Sequence, residues 1–337
     1  MTIMDSAKWP ELSEWDAEIK RSIDARPQMA PDLQVSQIPR MRKLRDAVRK
    51  PDILSRLDFC GVVESTVDIP SRDGHSLPAV IYKPFALSEA AGPLAILFHG
   101  GAFISGFPEM EAGAAIALVK EHGVTVVCPR YRLAPEHLFP TAINDCWDAL
   151  QWCASHASKL GADASKGFLV GGSSAGGNIA ACLQHLARDE NLRPPVTAAW
   201  LAYPGTVDPD VIPEKYKHEC TSFKQNAEVP SFNKNVYDFM KRAYQPDPSS
   251  ELWSPLLWAS GHAGLARTYV QVCGLDPMRD DGLLYERELR RQGVETRVDA
   301  YAGCPHGHDV MWPETAKARQ FREDRSRNFK WLLGKEE

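Results

Sequence analysis

From Val62 onward, apolar and polar positions fall into short blocks that repeat along the chain. VVESTVDIP and HSLPAVIYKP, separated by the turn-forming SRDG, read as a β-hairpin with a glycine in its turn. LAILFHGG, VTVVCPRY, KGFLVGGS, AAWLAYPG, RTYVQVCG and VETRVDAYAG follow as short β-rich runs. Helical periodicity separates most of them, over Glu109 to His122, Ala142 to His156, Ala175 to Arg188 and Arg279 to Gln292. Each of these stretches is long enough to cross over a sheet, so the alternation predicts an α/β domain with a mostly parallel sheet and helices on both faces.

Two regions break the alternation. Residues 1–60 are amphipathic and charged, and residues 207–252 are rich in Pro, Lys and aromatics. Both are expected to form a helical cap over a catalytic domain made of residues 61–206 and 253–337, with YQPDPSSELWSP returning the chain to the sheet. The cap segments carry Trp9, Trp15, Phe223, Phe232, Tyr237 and Phe239. Such rings suit a covered pocket for a compact apolar ligand, or else serve only to seal the cap against the body.

Composition narrows the class. The 337 residues are 44% hydrophobic and 25% charged, the balance of an ordinary globular protein rather than of a disordered or fibrous chain. The net charge of −5, from 44 acidic and 39 basic residues, comes without a dense basic stretch, so nucleic acid is not an expected partner. No run of about 18 apolar residues occurs, and MTIMDSAKWPELSEWDAEIK lacks the basic start and apolar run of a secretory signal. The expectation is a cytoplasmic protein with no stable membrane insertion and eight reduced cysteines, several of them in apolar runs. The sequence leaves room for a homodimer.

The chemistry begins at Gly172-Ser173-Ser174-Ala175-Gly176, between the strand-like KGFLVG and a helical run. A G-x-S-x-G turn between strand and helix exposes its serine at a helix N-terminus, and the flanking glycines allow a backbone bend that bulkier residues would block. Only Ser174 has glycine at both −2 and +2, which makes it the candidate nucleophile rather than Ser173. No Lys follows the glycines, which argues against a phosphate loop. Upstream, His99-Gly100-Gly101-Ala102 follows an apolar strand. The N–H groups of Gly100, Gly101 and Ala175 are candidate donors to an oxyanion, and His99 is expected to hold the loop. Downstream, TYVQVCGLDPMRDD places Asp276 at the C-terminal end of a strand. Asp280 and Asp281 fall in the first turn of the next helix, where the helix dipole is reason enough for an acid. VDAYAGCPHGHDV supplies His306 and His308 as candidate bases. A metal site at Cys304, His306 and His308 lacks a second paired set of ligands. No metal and no cofactor is expected.

In order, HGGA, YRLAPE (Tyr131 to Glu136), GSSAGG, DPMRD and PHG resemble the hormone-sensitive-lipase-like family of α/β-hydrolases over residues 62–335. The resemblance implies an α/β-hydrolase fold with a helical cap and a cofactor-free carboxylesterase acting on short-chain esters. Its triad would be Ser174, Asp276 and His306, and its oxyanion donors Gly100, Gly101 and Ala175. Ala102, Phe103, Ser173, Tyr203 and His308 are candidates for the substrate pocket. Within the family the chain is similar to fungal members that act on ester intermediates of polyketide pathways. It departs from the family at Ser173, where an acid is usual, at Ala102, where a third glycine is common, and at His308, where an aromatic is frequent. An esterase is the leading reading, cyclisation, dehydration or acyl transfer at the same site the main alternative, and a small-molecule receptor a remoter one.

Overall fold

In a computed structural model, residues 5–25, 34–85 and 91–335 are described. Residues 1–4 and 26–33 of the expected N-terminal cap segment lie outside that set. The remainder of the segment forms two 3-10 stretches, Ser6–Ser13 and Val35–Gln37, and two helices, α1 (Ala17–Asp24) and α2 (Ile38–Ser55). The hairpin is β1 (Val62–Pro70) and β2 (Ser76–Pro84). After it come β3 (Leu94–Phe98), α3 (Ala112–His122), β4 (Thr125–Pro129), α4 (Thr141–Leu160), β5 (Phe168–Ser173), α5 (Ala175–Asp189) and β6 (Ala198–Ala202). The next segment holds α6 (Ser222–Gln225) and α7 (Lys234–Tyr244). The chain closes with β7 (Arg267–Cys273), α8 (Arg279–Arg291), β8 (Thr296–Tyr301), α9 (His308–Met311) and α10 (Ala316–Leu332).

The eight strands form one sheet in the order β1-β2-β4-β3-β5-β6-β7-β8. β2 pairs antiparallel with both β1 and β4, and every other pairing is parallel. Side chains alternate between two cores. In β3, Leu94, Ile96 and Phe98 enter the core covered by α4, α5 and α8, while Ala95 and Leu97 enter the one covered by α3 and α10. A strand buried on both faces has no polar side to present, which is why β3 to β6 read as nearly continuous apolar runs. The architecture is the α/β-hydrolase fold. Among the described residues no helix is long and apolar enough to cross a membrane, and all eight cysteines are unpaired.

Candidate active site

The bend between β5 and α5 places Ser174 at φ 56°, ψ −116°, the N-cap of the helix. The flanking glycines are required by contact. A Cβ on Gly172 would sit 2.2 Å from the carbonyl oxygen of Phe98, and one on Gly176 1.8 Å from the same oxygen. β3 therefore passes so close to the bend that only hydrogen fits at either position, and the serine between them is held forward.

Asp276 follows β7 and is 1% exposed. Its Oδ1 accepts from the Met278 N–H at 2.9 Å, and its Oδ2 lies 2.6 Å from His306 Nδ1. His306 Nε2 in turn lies 2.8 Å from Ser174 Oγ. The carboxylate accepts the Nδ1–H, which leaves Nε2 as the acceptor for the serine hydroxyl. The His306 ring is fixed from two sides: Phe232 stacks on it at 4.7 Å and Tyr203 meets it edge-on at 4.8 Å. Asp280 and Asp281 point elsewhere. Asp280 accepts from the Thr221 and Ser222 N–H groups and pairs with the fully buried Arg279, and Asp281 accepts from the Thr206 N–H. Their reason is more than the helix dipole, since both anchor the segment between β6 and β7.

The loop after β3 is strained in the way a close-approach loop must be. Gly101 has φ +128°, and a Cβ there would lie 1.9 Å from the Ser105 carbonyl oxygen. Ala102 and Phe103 also have positive φ, 55° and 59°. At Ala102 the backbone adopts a conformation that favours glycine, at a cost of about 1–2 kcal/mol. Hydrogen bonds from neighbours offset this. His99 donates from Nδ1 to the Gly100 carbonyl at 2.8 Å and stacks on Tyr131, whose hydroxyl donates to the His99 carbonyl at 2.7 Å. Burial lowers His99 to a pKa of about 3, so it stays neutral and structural. Among the described residues, the N–H groups of Gly100, Gly101 and Ala175 donate to no other protein group.

Two lobes of one cavity meet at Ser174. The inner lobe is lined by Phe103, Val207, Tyr237, Met240, Trp253 and Met278 among others. The outer, wider lobe is lined by Gly100, Gly101, Ser173, Tyr203 and His306, and by Arg45 and Arg49 from α2. Ala102 and Phe232 face both lobes. The aromatics of the two helical segments divide. Phe232 and Tyr237 line the cavity, Phe223 packs edge-on against Tyr237, Trp9 is buried in the core and Trp15 lies at the surface.

His308 lines neither lobe, which corrects its expected place in the pocket. It opens α9, and the 100° turn from Gly307 sends its fully buried ring away from the cleft toward Tyr301 and Phe321. Its Nδ1 meets Cys273 Sγ at 3.4 Å, and Cys304 Sγ points instead to the Ala302 carbonyl. Among the described residues no three His, Cys, Asp or Glu side chains converge on a metal site.

Three features escaped the sequence. Glu111, buried just before α3, accepts a 2.5 Å hydrogen bond from Ser173 Oγ and so brings a carboxyl to the position where the family more often has an acid. The departure at Ser173 was a signal that a partner might be needed, but not of where it would come from. Asn226 donates to the carbonyls of Gly274 and Asp276, and Ser13 donates to Gly274 as well, so both helical segments touch the loop that carries Asp276. Arg45 and Arg49 carried only the signal of a basic amphipathic stretch.

A family model described as alpha/beta hydrolase fold matches residues 95–309. An AB hydrolase superfamily protein of Schizosaccharomyces pombe is 33% identical over 94% of each chain. The carboxylesterase NlhH of Mycobacterium tuberculosis is 33% identical over 79% of this chain and 80% of its own length. Versiconal hemiacetal acetate esterase of Dothistroma septosporum is 29% identical over 79% and 81%. Among solved structures, vibralactone cyclase superposes with a TM-score of 0.89 at 30% identity over 96% of both chains. A bacterial heroin esterase gives 0.83 at 26% identity over 97% of this chain and 99% of its own. The chain belongs to the hormone-sensitive-lipase-like family of α/β-hydrolases.

Proposed function

We propose that the protein is a serine carboxylesterase that hydrolyses short-chain esters of a small apolar or aromatic alcohol through an acyl-enzyme. The observation that carries this reading is the continuous relay from the Ser174 hydroxyl through His306 to buried Asp276, at 2.8 and 2.6 Å. In this mechanism Ser174 Oγ bonds to the ester carbonyl carbon as its proton passes to His306 Nε2. The carbonyl oxygen becomes an oxyanion, and the N–H groups of Gly100, Gly101 and Ala175 are the donors for it. Collapse breaks the bond to the leaving oxygen, which takes the proton from His306. Water then attacks the acyl-enzyme by the same route, releasing the acid and restoring Ser174. Asp276 holds the imidazole tautomer and stabilises the imidazolium.

The direction of proton delivery orients the ester. The leaving oxygen has to face His306, which lines the outer lobe and not the inner one. The alcohol therefore occupies the outer lobe and the acyl group the inner lobe, with residues 1–60 and 207–252 acting as the cap. Ser174→Ala is expected to remove nearly all esterase activity, leaving about 10³-fold over water from the oxyanion donors and binding. Ser173→Ala should retain turnover. Wild-type-like rates in Ser174→Ala would overturn the mechanism.

A second reading, acyl transfer within the substrate, is favoured by the likeness to vibralactone cyclase. Turnover in ¹⁸O-labelled water separates the two. Hydrolysis puts one labelled oxygen into the released acid, whereas internal transfer to a substrate hydroxyl incorporates none.

A further inference from the structure

Helix α2 carries six arginines and lysines against two acids, Asp46 and Asp52, in a chain whose net charge is −5. Two of these cations fasten the helix to the body. Arg42 donates to the carbonyls of Ile104 and Ala134 at 3.0 and 2.7 Å and pairs with Glu136, and Lys50 pairs with Glu109. Arg45 and Arg49 are used differently. One helical turn apart, they share a face and line the outer lobe together with Ser174 and His306. Among the described residues neither makes a hydrogen bond or an ion pair, although Asp46 is near enough to act through space on both and Asp52 on Arg49. The rest of that wall is apolar, with Ile104, Met110, Val236, Val310 and Met311.

A pair of guanidinium groups on the same wall, without a bonded counter-ion, has an unmet demand for negative charge. Arg49 is half-buried, so its charge carries a desolvation cost; Arg45 is the more exposed of the two, and the like charge of Arg49 adds to its cost. An anion entering the lobe offsets both costs. A carboxylate matches the planar fork of guanidinium donors and carries one charge to be shared between the two. We propose that Arg45 and Arg49 form an anion subsite of the outer lobe, which binds a carboxylate carried on the alcohol portion of the ester. The assignment to the alcohol portion rests on the esterase reading; the subsite itself does not.

The test compares 4-acetoxybenzoate with its neutral partner, methyl 4-acetoxybenzoate, each rate normalised to alkaline hydrolysis. The wild-type ratio of kcat/KM is expected to favour the carboxylate by about 10- to 100-fold, the effect of one or two charge-assisted hydrogen bonds. In Arg45→Ala/Arg49→Ala the ratio should fall to about one. In Arg45→Glu/Arg49→Glu it should invert, with 4-acetoxyphenyltrimethylammonium becoming the better substrate. Because each variant is read as a ratio of two substrates, partial unfolding cannot mimic the result. Calorimetry on Ser174→Ala adds a readout free of catalysis: 4-hydroxybenzoate should bind more tightly than its methyl ester, and the arginine substitutions should abolish the difference. Hydrolysis of both esters at a wild-type ratio near one, with no difference in binding, would overturn the subsite and leave the esterase standing. Failure to hydrolyse either ester, with arginine-dependent binding intact, would overturn the esterase reading and leave the subsite.

Discussion

At Ser173 the chain replaces a carboxylate with a hydroxyl and then brings a carboxyl to that hydroxyl from Glu111. Because Glu111 is buried, desolvation raises its pKa to about 7, against the opposing pull of the Ser173 hydrogen bond and the positive charge of Arg325. The sign of the linkage follows. From its ordinary value of 4.5 up to about 7 the folded protein binds the proton that the unfolded chain has released, so stability falls as pH rises through that window. The full effect is about 3 kcal/mol. Glu111→Gln keeps an acceptor for Ser173 but cannot ionise. Urea unfolding should find it equal to wild type near pH 4.5 and more stable by about 3 kcal/mol at pH 8. A difference that is constant with pH would show that Glu111 does not titrate in this range. Ser174, Asp276 and His306, which the structure brings within hydrogen-bond distance of one another, could be picked out of the sequence because their motifs sit at fixed offsets from strand ends. Glu111 could not, since its meeting with Ser173 spans 62 residues and depends on how the 3-10 turn before α3 packs against β3 and β4. His308 failed for the opposite reason: it is in the right loop, but a single residue step along a helix decides between cleft and core.

The elements were readable where burial imposed a local period. All eight strands lie where apolar blocks flank turn residues, and β1, VVESTVDIP, has the bounds of its own block. The helix expected over Glu109 to His122 instead opens with a 3-10 turn, Pro108–Glu111, before α3 begins at Ala112. Arg279 shows what a period cannot show. In the sequence it is a charged residue at the start of α8, yet it is fully buried, 2.6 Å from Asp280. It also donates to Ser13 Oγ, the Gly274 carbonyl and Gln225 Oε1. One guanidinium thereby joins the N-terminal segment, the segment before β7 and the loop of the acid. Arg279→Met keeps much of the length but leaves Asp280 without its cation, and it should cost about 3–5 kcal/mol in denaturant unfolding. The loss should appear in kcat as well, because the Gly274 carbonyl, two residues before Asp276, loses a donor while the cavity walls stay unchanged. A stable Arg279→Met with an unaltered kcat would mean that backbone packing alone holds the acid.

At the scale of the whole molecule, the sheet supplies the groups proposed to react, and in that proposal the two helical segments set the size of what reaches them. The inner lobe is closed by residues from the segment between β6 and β7, and its floor is pinned from below. Tyr237 and Trp253 both donate to buried Asp208, at 3.0 and 2.9 Å, and Lys241 pairs with the same carboxylate. Phe103 completes the wall, stacked on Tyr244 at 4.4 Å. A floor held by a satisfied buried carboxylate does not yield readily to a longer chain, because displacing either ring would cost Asp208 one of its buried donors. In a series of 4-nitrophenyl esters, kcat/KM should therefore peak between acetyl and butyryl and decline beyond. Met240 lines the same lobe from α7 and makes no hydrogen bond to Asp208, so it is the residue whose removal lengthens the lobe without loosening the floor. Met240→Ala should move the optimum toward hexanoyl, at a stability cost of about 2–5 kcal/mol. Optima that stay in place in Met240→Ala would put the acyl group elsewhere in the cavity. A wild-type rate still rising at dodecanoyl would mean that acyl chains leave through the wide outer lobe, and the assignment of acyl and alcohol portions to the two lobes would have to be exchanged.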